Sequence, residues 1–265
     1  MFTDDNEKEL SQKYLNQGYL IGDIKEIESF DFIRNFFIET IKQFPNFKDS
    51  NISNTDILNQ THKVISIKDL NDFRIEIIKK LYDNSDIKFH YYNIAKDFLE
   101  LIVGNELAMQ RRISVSIQLP NDNSSLLNVH ADTWSGDSSY ESVVWLPLVN
   151  CYDTKSMFIL SPDKNYIVNN LFEKYKNLSS SKIYEEIEKY VTWLKVDQGQ
   201  FLIFNQNLPH GNIVNVENET RWSLNCRFKG LFTPYAQKKL GEFFEPITLK
   251  SASMHGMHYK LPGEK

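Results

Sequence analysis

A chain of 265 residues suits one large domain, against roughly 100 to 200 residues per domain. It can hide roughly 70 to 75% of its unfolded surface, so Cys151 and Cys226 are not needed as a staple and a disulfide framework is excluded. Lys and Arg number 30 against 35 Asp and Glu, a formal charge of -5 with a pI near 5.7; the signs are interspersed, which disfavours non-specific binding to nucleic acid or acidic membrane.

The longest apolar runs, 143–149 and 201–204, are far short of the roughly 18 residues that span a bilayer. The start, MFTDDNEKEL, carries no signal-peptide pattern, and a soluble cytoplasmic protein is expected. The first hundred residues read as helical: Phe32, Ile33, Phe36, Phe37 and Ile41, then Tyr92, Ile94, Ala95, Phe98, Leu99 and Ile102, recur at three and four spacings. Gly104 and Asn105 stop the second helix. From Met109 the period becomes two, with Ile113, Val115 and Ile117 alternating with Ser114, Ser116 and Gln118 until Pro120 and its Asn-Asp-Asn closure.

Further strands are expected over 142–148, 156–160, 199–204, 212–216 and 221–228, interrupted by an acidic helical insert over 166–194. Helices first and then many short strands suggest an α+β arrangement, a helical layer on a closed or sandwiched sheet. The layout expected is a single domain over 1–265, with helical support in 1–105, a β-core in 106–235 and a tail in 236–265.

Among six histidines, only His130 sits two residues from a carboxylate in a strand-to-loop setting, in NVHADTW. Residues i and i+2 of a strand point to the same side, so His130 and Asp132 can share one ion. A third ligand is available in His210, in the turn-marked NLPHGN. Two imidazoles and one carboxylate make the facial triad of non-haem Fe(II) oxygenases, which leaves coordination positions open. The H-x-D pair alone is weak evidence.

Downstream, TRWSLNCRF puts Arg221, Ser223, Asn225 and Arg227 at alternate positions on one strand face. One reading is a solvated face, with Trp222, Leu224, Cys226 and Phe228 packed on the core behind it. The other is a carboxylate dock, because an arginine fork pairs carboxylates bidentately.

These residues resemble the 2-oxoglutarate/Fe(II)-dependent dioxygenases, whose core is a double-stranded β-helix or jelly roll. The resemblance implies that His130, Asp132 and His210 bind Fe(II), and that Arg221 and Ser223 hold the distal carboxylate of 2-oxoglutarate. R-x-S-L-N-x-R also looks like the double-arginine strand of DNA-repair dioxygenases, which makes Arg227 a second co-substrate contact. Over Ile113 to Tyr235 the chain is similar to phytanoyl-CoA-dioxygenase-like oxygenases of bacterial carbohydrate clusters, including the streptomycin-biosynthesis type. That similarity implies a carbohydrate substrate and O2 as oxidant, while the acidic balance argues against nucleic acid and the short apolar runs against membrane insertion.

Gln118 is a further candidate for the co-substrate pocket, with a hydrated outer face as the alternative. Trp134 either walls the substrate or packs in the core, and Asp137, Tyr140 and Glu141 either bind substrate hydroxyls at the mouth or are solvated. Lys155, Lys164 or Arg112 could serve a diphosphate. A cupin-like sugar isomerase or epimerase, or an oxygenase of an amino acid or small metabolite, is the alternative function.

Overall fold

Helix α1 (Asp5–Gln17) ends at Gly18, whose left-handed backbone (φ 83°) returns its N–H to Tyr14 O, and the chain leaves as strand β1 (Tyr19–Asp23). The computed structural model describes residues 3–48, 50–124, 126–175 and 177–263. Next come α2 (Ile27–Lys42), α3 (Pro45–Lys48), α4 (Leu70–Asp83), α5 (Ile87–Asn93) and α6 (Lys96–Ile102), then β2 (Leu107–Gln110), β3 (Ser114–Gln118), β4 (Glu141–Pro147) and β5 (Phe158–Leu160). After α7 (Asn165–Lys174) and α8 (Ser180–Ile187) follow β6 (Val191–Trp193), β7 (Gln200–Asn205), β8 (His210–Gly211), β9 (Arg221–Gly230), β10 (Phe244–Pro246) and α9 (Ser251–His258). Among the described residues, no helix is long and apolar enough to cross a membrane.

The result is a mixed fold of helices and antiparallel sheet. The larger sheet runs β1-β7-β4-β9-β2-β10, with β3 also paired to β9; the smaller runs β6-β5-β8. The long β9 organises the larger one, pairing with β4 along one edge and with β3 and then β2 along the other. Its even-numbered face is the expected core face: Trp222, Leu224, Cys226 and Phe228 are all buried. Trp222 meets Phe37 of α2 and Phe73 of α4 at ring separations of 5.8 and 5.9 Å, and its indole N–H donates to Thr61 Oγ1. Tyr91 of α5 donates its hydroxyl to Val144 O of β4 at 2.7 Å. Cys151 and Cys226 are buried free thiols.

Local pattern and tertiary structure differ in four places. The helical first hundred residues contain β1, whose register on β7 pairs Gly22 with Phe201; a Cβ at Gly22 would lie 2.6 Å from that ring. The second expected helix is two, α5 and α6. The insert does hold two helices, but its end, Val191-Thr192-Trp193, is β6 paired to β5, as β-branched and aromatic residues favour. The strand expected over 212–216 does not form. There Asn215 accepts from Glu217 N and donates to Glu219 O, while Asn212 Oδ1 accepts from Leu127 N; such side-chain bonds compete with a ladder.

Candidate metal centre and adjoining cavity

His130 and His210 face each other across an isolated antiparallel bridge: His130 N–H donates to His210 O at 2.9 Å and His210 N–H to His130 O at 2.8 Å. The bridge sets the two rings 4.4 Å apart. Gly211 permits it, because a Cβ there would lie 2.7 Å from Leu127 O on the approaching segment. Asp132 opens a turn of 3-10 helix, 132–135, and its backbone N–H is held by Gln206 O.

Each imidazole donates Nδ1–H to a nearby carbonyl, His130 to Asn128 O at 2.7 Å and His210 to Leu208 O at 2.8 Å. A carbonyl can only accept, so this sets the tautomer and leaves Nε2 available as a ligand. One ligand atom from each of His130, Asp132 and His210 lies within 4.8 Å of the others. The donor set, two neutral nitrogens and one carboxylate oxygen, fits a divalent transition metal with open positions.

The electrostatics favour those protonation states at His210 and Asp132 and oppose the neutral form at His130. Burial lowers the pKa of His210 to about 4, with the neighbouring His130 acting in the same direction. Burial alone would raise Asp132, but the His130 hydrogen bond and the nearby His210 and Arg227 charges hold it well below the usual carboxylate range. For His130, burial is outweighed by its bonds to Asp132 and Asn128, and the net shift is upward. His130 Nε2 stands 3.4 Å from Asp132 Oδ1.

The triad opens onto a cavity of about 420 Å³ lined by residues of both sheets, among them Ser116, Phe204, Arg221, Ser223, Asn225 and Arg227. The odd-numbered face of β9 is therefore a cavity wall and not a solvated surface. Arg221 is 2% exposed. It donates from Nη1 to Ser156 O at 3.1 Å and from Nη2 to Ser116 Oγ at 2.9 Å, while its buried Nε has no partner. No carboxylate pairs with it among the described residues; burial brings its pKa down to about 10, so the group stays cationic at neutral pH. Ser223 Oγ, Ser156 Oγ and Asn225 Oδ1 are likewise buried without partners.

Arg227 is committed differently from the expected co-substrate contact. Its Nη2 lies 2.8 Å from Asp132 Oδ2 and its Nε 3.3 Å from Asp137 Oδ1, while Gln206 and Gln110 accept from Nε and Nη1 at 3.1 Å. Asp137 also pairs with Lys238. The carboxylate expected at the mouth is thus buried and consumed by two cations. Glu141, expected beside it, is buried too and accepts from Ser138 N and Gln206 Nε2.

Gln118 lies opposite Arg221 in the β3–β9 register but does not line this cavity; its Nε2 donates to Ile213 O at 2.8 Å. Tyr140 is exposed and lines neither cavity next to the triad. Trp134 is 43% exposed, at the rim beside His130. Of the cations considered for a diphosphate, Lys155 is fully buried on Glu219 and Asn59, Lys164 pairs with Asp163, and Arg112 covers the Tyr82 ring along a separate groove.

The sequence matches no protein-family model, and no curated protein matches it. Solved structures do match. HygX from Streptomyces hygroscopicus, with nickel and 2-oxoglutarate bound, aligns at TM-score 0.53 and 10% identity over 88% of this chain and 90% of that one. EctD from S. alaskensis, with bound Fe, aligns at 0.53 and 11% over 89% and 81%. EvdMO1 aligns at 0.55 and 10% over 85% of this chain and 50% of its own. What is shared at such identities is the fold. The chain thus has the fold of these proteins, two of them solved with a metal, and carries a two-histidine, one-carboxylate cluster of its own.

Proposed function

We propose that the protein is an Fe(II)- and 2-oxoglutarate-dependent dioxygenase of the phytanoyl-CoA-dioxygenase-like type, a jelly-roll enzyme that hydroxylates or oxidises a C–H bond of a small substrate. The observation that carries this reading is Arg221, a buried guanidinium without a carboxylate partner among the described residues, next to the unpartnered hydroxyl of Ser223, in the same cavity as the triad. An uncompensated buried charge costs several kcal/mol, about 3 to 5 when a partner is removed. A bound dicarboxylate would supply the missing anion.

His130, Asp132 and His210 would hold the metal and Arg221 with Ser223 the distal carboxylate. Bound Fe(II) and 2-oxoglutarate would supply the oxidising chemistry, coupling O2 to formation of succinate and CO2. The rest falls to the chain: Ser116 and Ser156 orient Arg221, Arg227 orients Asp132, and Phe204, Trp145 and Met157 narrow the cavity against water. A sugar or sugar conjugate of bacterial carbohydrate biosynthesis is the proposed substrate, and the exposed Trp134 face with Ser135 beside it supports this. The acidic charge balance supports a role without nucleic acid, and the protein is proposed to act as a single-domain cytoplasmic enzyme.

Anaerobic addition of Fe(II) and then 2-oxoglutarate should produce the visible charge-transfer band of the chelate. Its absence from protein that has bound Fe(II) would remove the co-substrate assignment.

A further inference from the structure

Beside the triad lies a second cleft, of about 420 Å³, built by two chain segments: Val129 to Ser135 on one side, and Phe172, Leu178, Ser180 and Ile183 of the insert on the other. His130 lines both this cleft and the cavity of Arg221, so an occupant would lie next to the metal ligands. We infer that this cleft is the substrate site, and that it takes an uncharged substrate by an apolar ring face, with the insert as its outer wall. This rests on the oxygenase reading and narrows its substrate.

Three features carry the inference. Trp134 and Phe172 are 43% and 47% exposed, and their rings touch edge to face with centroids 5.0 Å apart. Two aromatic rings left open to water beside the candidate metal ligands offer a flat apolar partner an L-shaped seat. The wall is also anchored: Val168, Ile183 and Ile187 of the insert are buried in one cluster with Val129, Phe158 and Leu160, so the seat is formed before any ligand arrives. Finally, apart from His130 no ionisable side chain among the described residues lines the cleft; its other hydrogen-bonding side chains there are Ser135, Ser180 and the indole N–H of Trp134. Lys155, Lys164 and Arg112 lie outside it, and no lysine or arginine among the described lining residues compensates a diphosphate or a carboxylate. A sugar fits as the uncharged part of a conjugate, whereas a nucleotide-linked sugar does not.

Binding separates this inference from the reading beneath it. Apo protein is titrated with phenyl β-glucoside, UDP-glucose and phenylalanine, following tryptophan fluorescence and ligand-detected NMR, in wild type, Phe172→Ala and Trp134→Phe. The glucoside should bind saturably and at least fivefold more weakly to Phe172→Ala, with ring-proton contacts diminished in both variants, and the two charged probes should bind at least tenfold more weakly than the glucoside. Equal glucoside affinity in wild type and Phe172→Ala, tighter binding of UDP-glucose, or no saturable binding of the glucoside would overturn the inference. The anaerobic chelate band tests the oxygenase reading independently, since it needs none of these probes.

Discussion

His130 and His210 exchange both of their backbone hydrogen bonds, at 2.9 and 2.8 Å, so the two imidazoles are set side by side by the main chain. The two segments are distant in sequence, and the same pair that could ligate a metal also closes the smaller sheet onto the 127–130 segment. A metal bound there would cross-link the fold. Ligand that binds only the native state at a hundred times its Kd adds about 2.7 kcal/mol of stability. Thermal melts with Mn(II) or Fe(II) should show an upward shift that EDTA reverses and that His130→Ala and His210→Ala abolish.

Metal affinity should fall on acidification, and one histidine should dominate the response. A proton on an imidazole competes with the metal. His210, with a pKa near 4, is already neutral at pH 7, whereas the His130 pKa is raised. Below that raised value, binding must expel a proton from His130, so affinity is complete above it and declines as the pH falls through it. Calorimetry in buffers of different ionisation enthalpy should count up to one proton released per metal near pH 6. A pH-independent affinity between 5 and 8 would contradict the assignment.

Arg221→Met should separate binding from stability. It removes a buried cation that lacks a carboxylate partner, and exchanging buried charge for an apolar chain of similar volume is often neutral or stabilising. The melting temperature should hold or rise. A buried charged hydrogen bond contributes about 1.5 to 3 kcal/mol, so 2-oxoglutarate affinity should drop about tenfold to a hundredfold or more.

Arg227→Met should do the opposite. It strands Asp132 and leaves Asp137 with Lys238 alone, and breaking a buried pair costs about 3 to 5 kcal/mol. Denaturant unfolding should show a loss of that order. Without the guanidinium the Asp132 pKa should rise, and metal affinity should fall by more than 2-oxoglutarate affinity measured at saturating metal. A variant whose only defect is in 2-oxoglutarate binding would restore the double-arginine dock.

Gly211→Ala tests the close approach beneath the bridge. Its Cβ would press on Leu127 O at 2.7 Å, and backbone cannot swing aside as a side chain can. The variant should melt lower and bind metal more weakly, although no ligand atom is altered.

The sequence by itself determined whatever depends on period and spacing. H-x-D puts two side chains on one side of an extended segment, and alternation along 221–228 separates Trp222, Leu224, Cys226 and Phe228 from Arg221, Ser223, Asn225 and Arg227; both follow from backbone geometry and need no partner. The helical stripe around Phe37 was legible for the same reason. Only tertiary structure decided what those faces meet. Whether the arginine face is wet or enclosed depends on the smaller sheet, which comes from distant segments. That Arg227 serves Asp132 and Asp137 while Arg221 has no anion is a matter of a few ångströms across those segments. β1 and β6 were hidden inside helical stretches because their ladders are made with β7 and β5, and the expected strand at 212–216 was lost to side-chain hydrogen bonds of Asn212 and Asn215. Phe172 left no clear signal at all: one apolar residue beside the buried stripe of Val168 and Leu171 becomes part of a cleft only when α7 folds over Trp134.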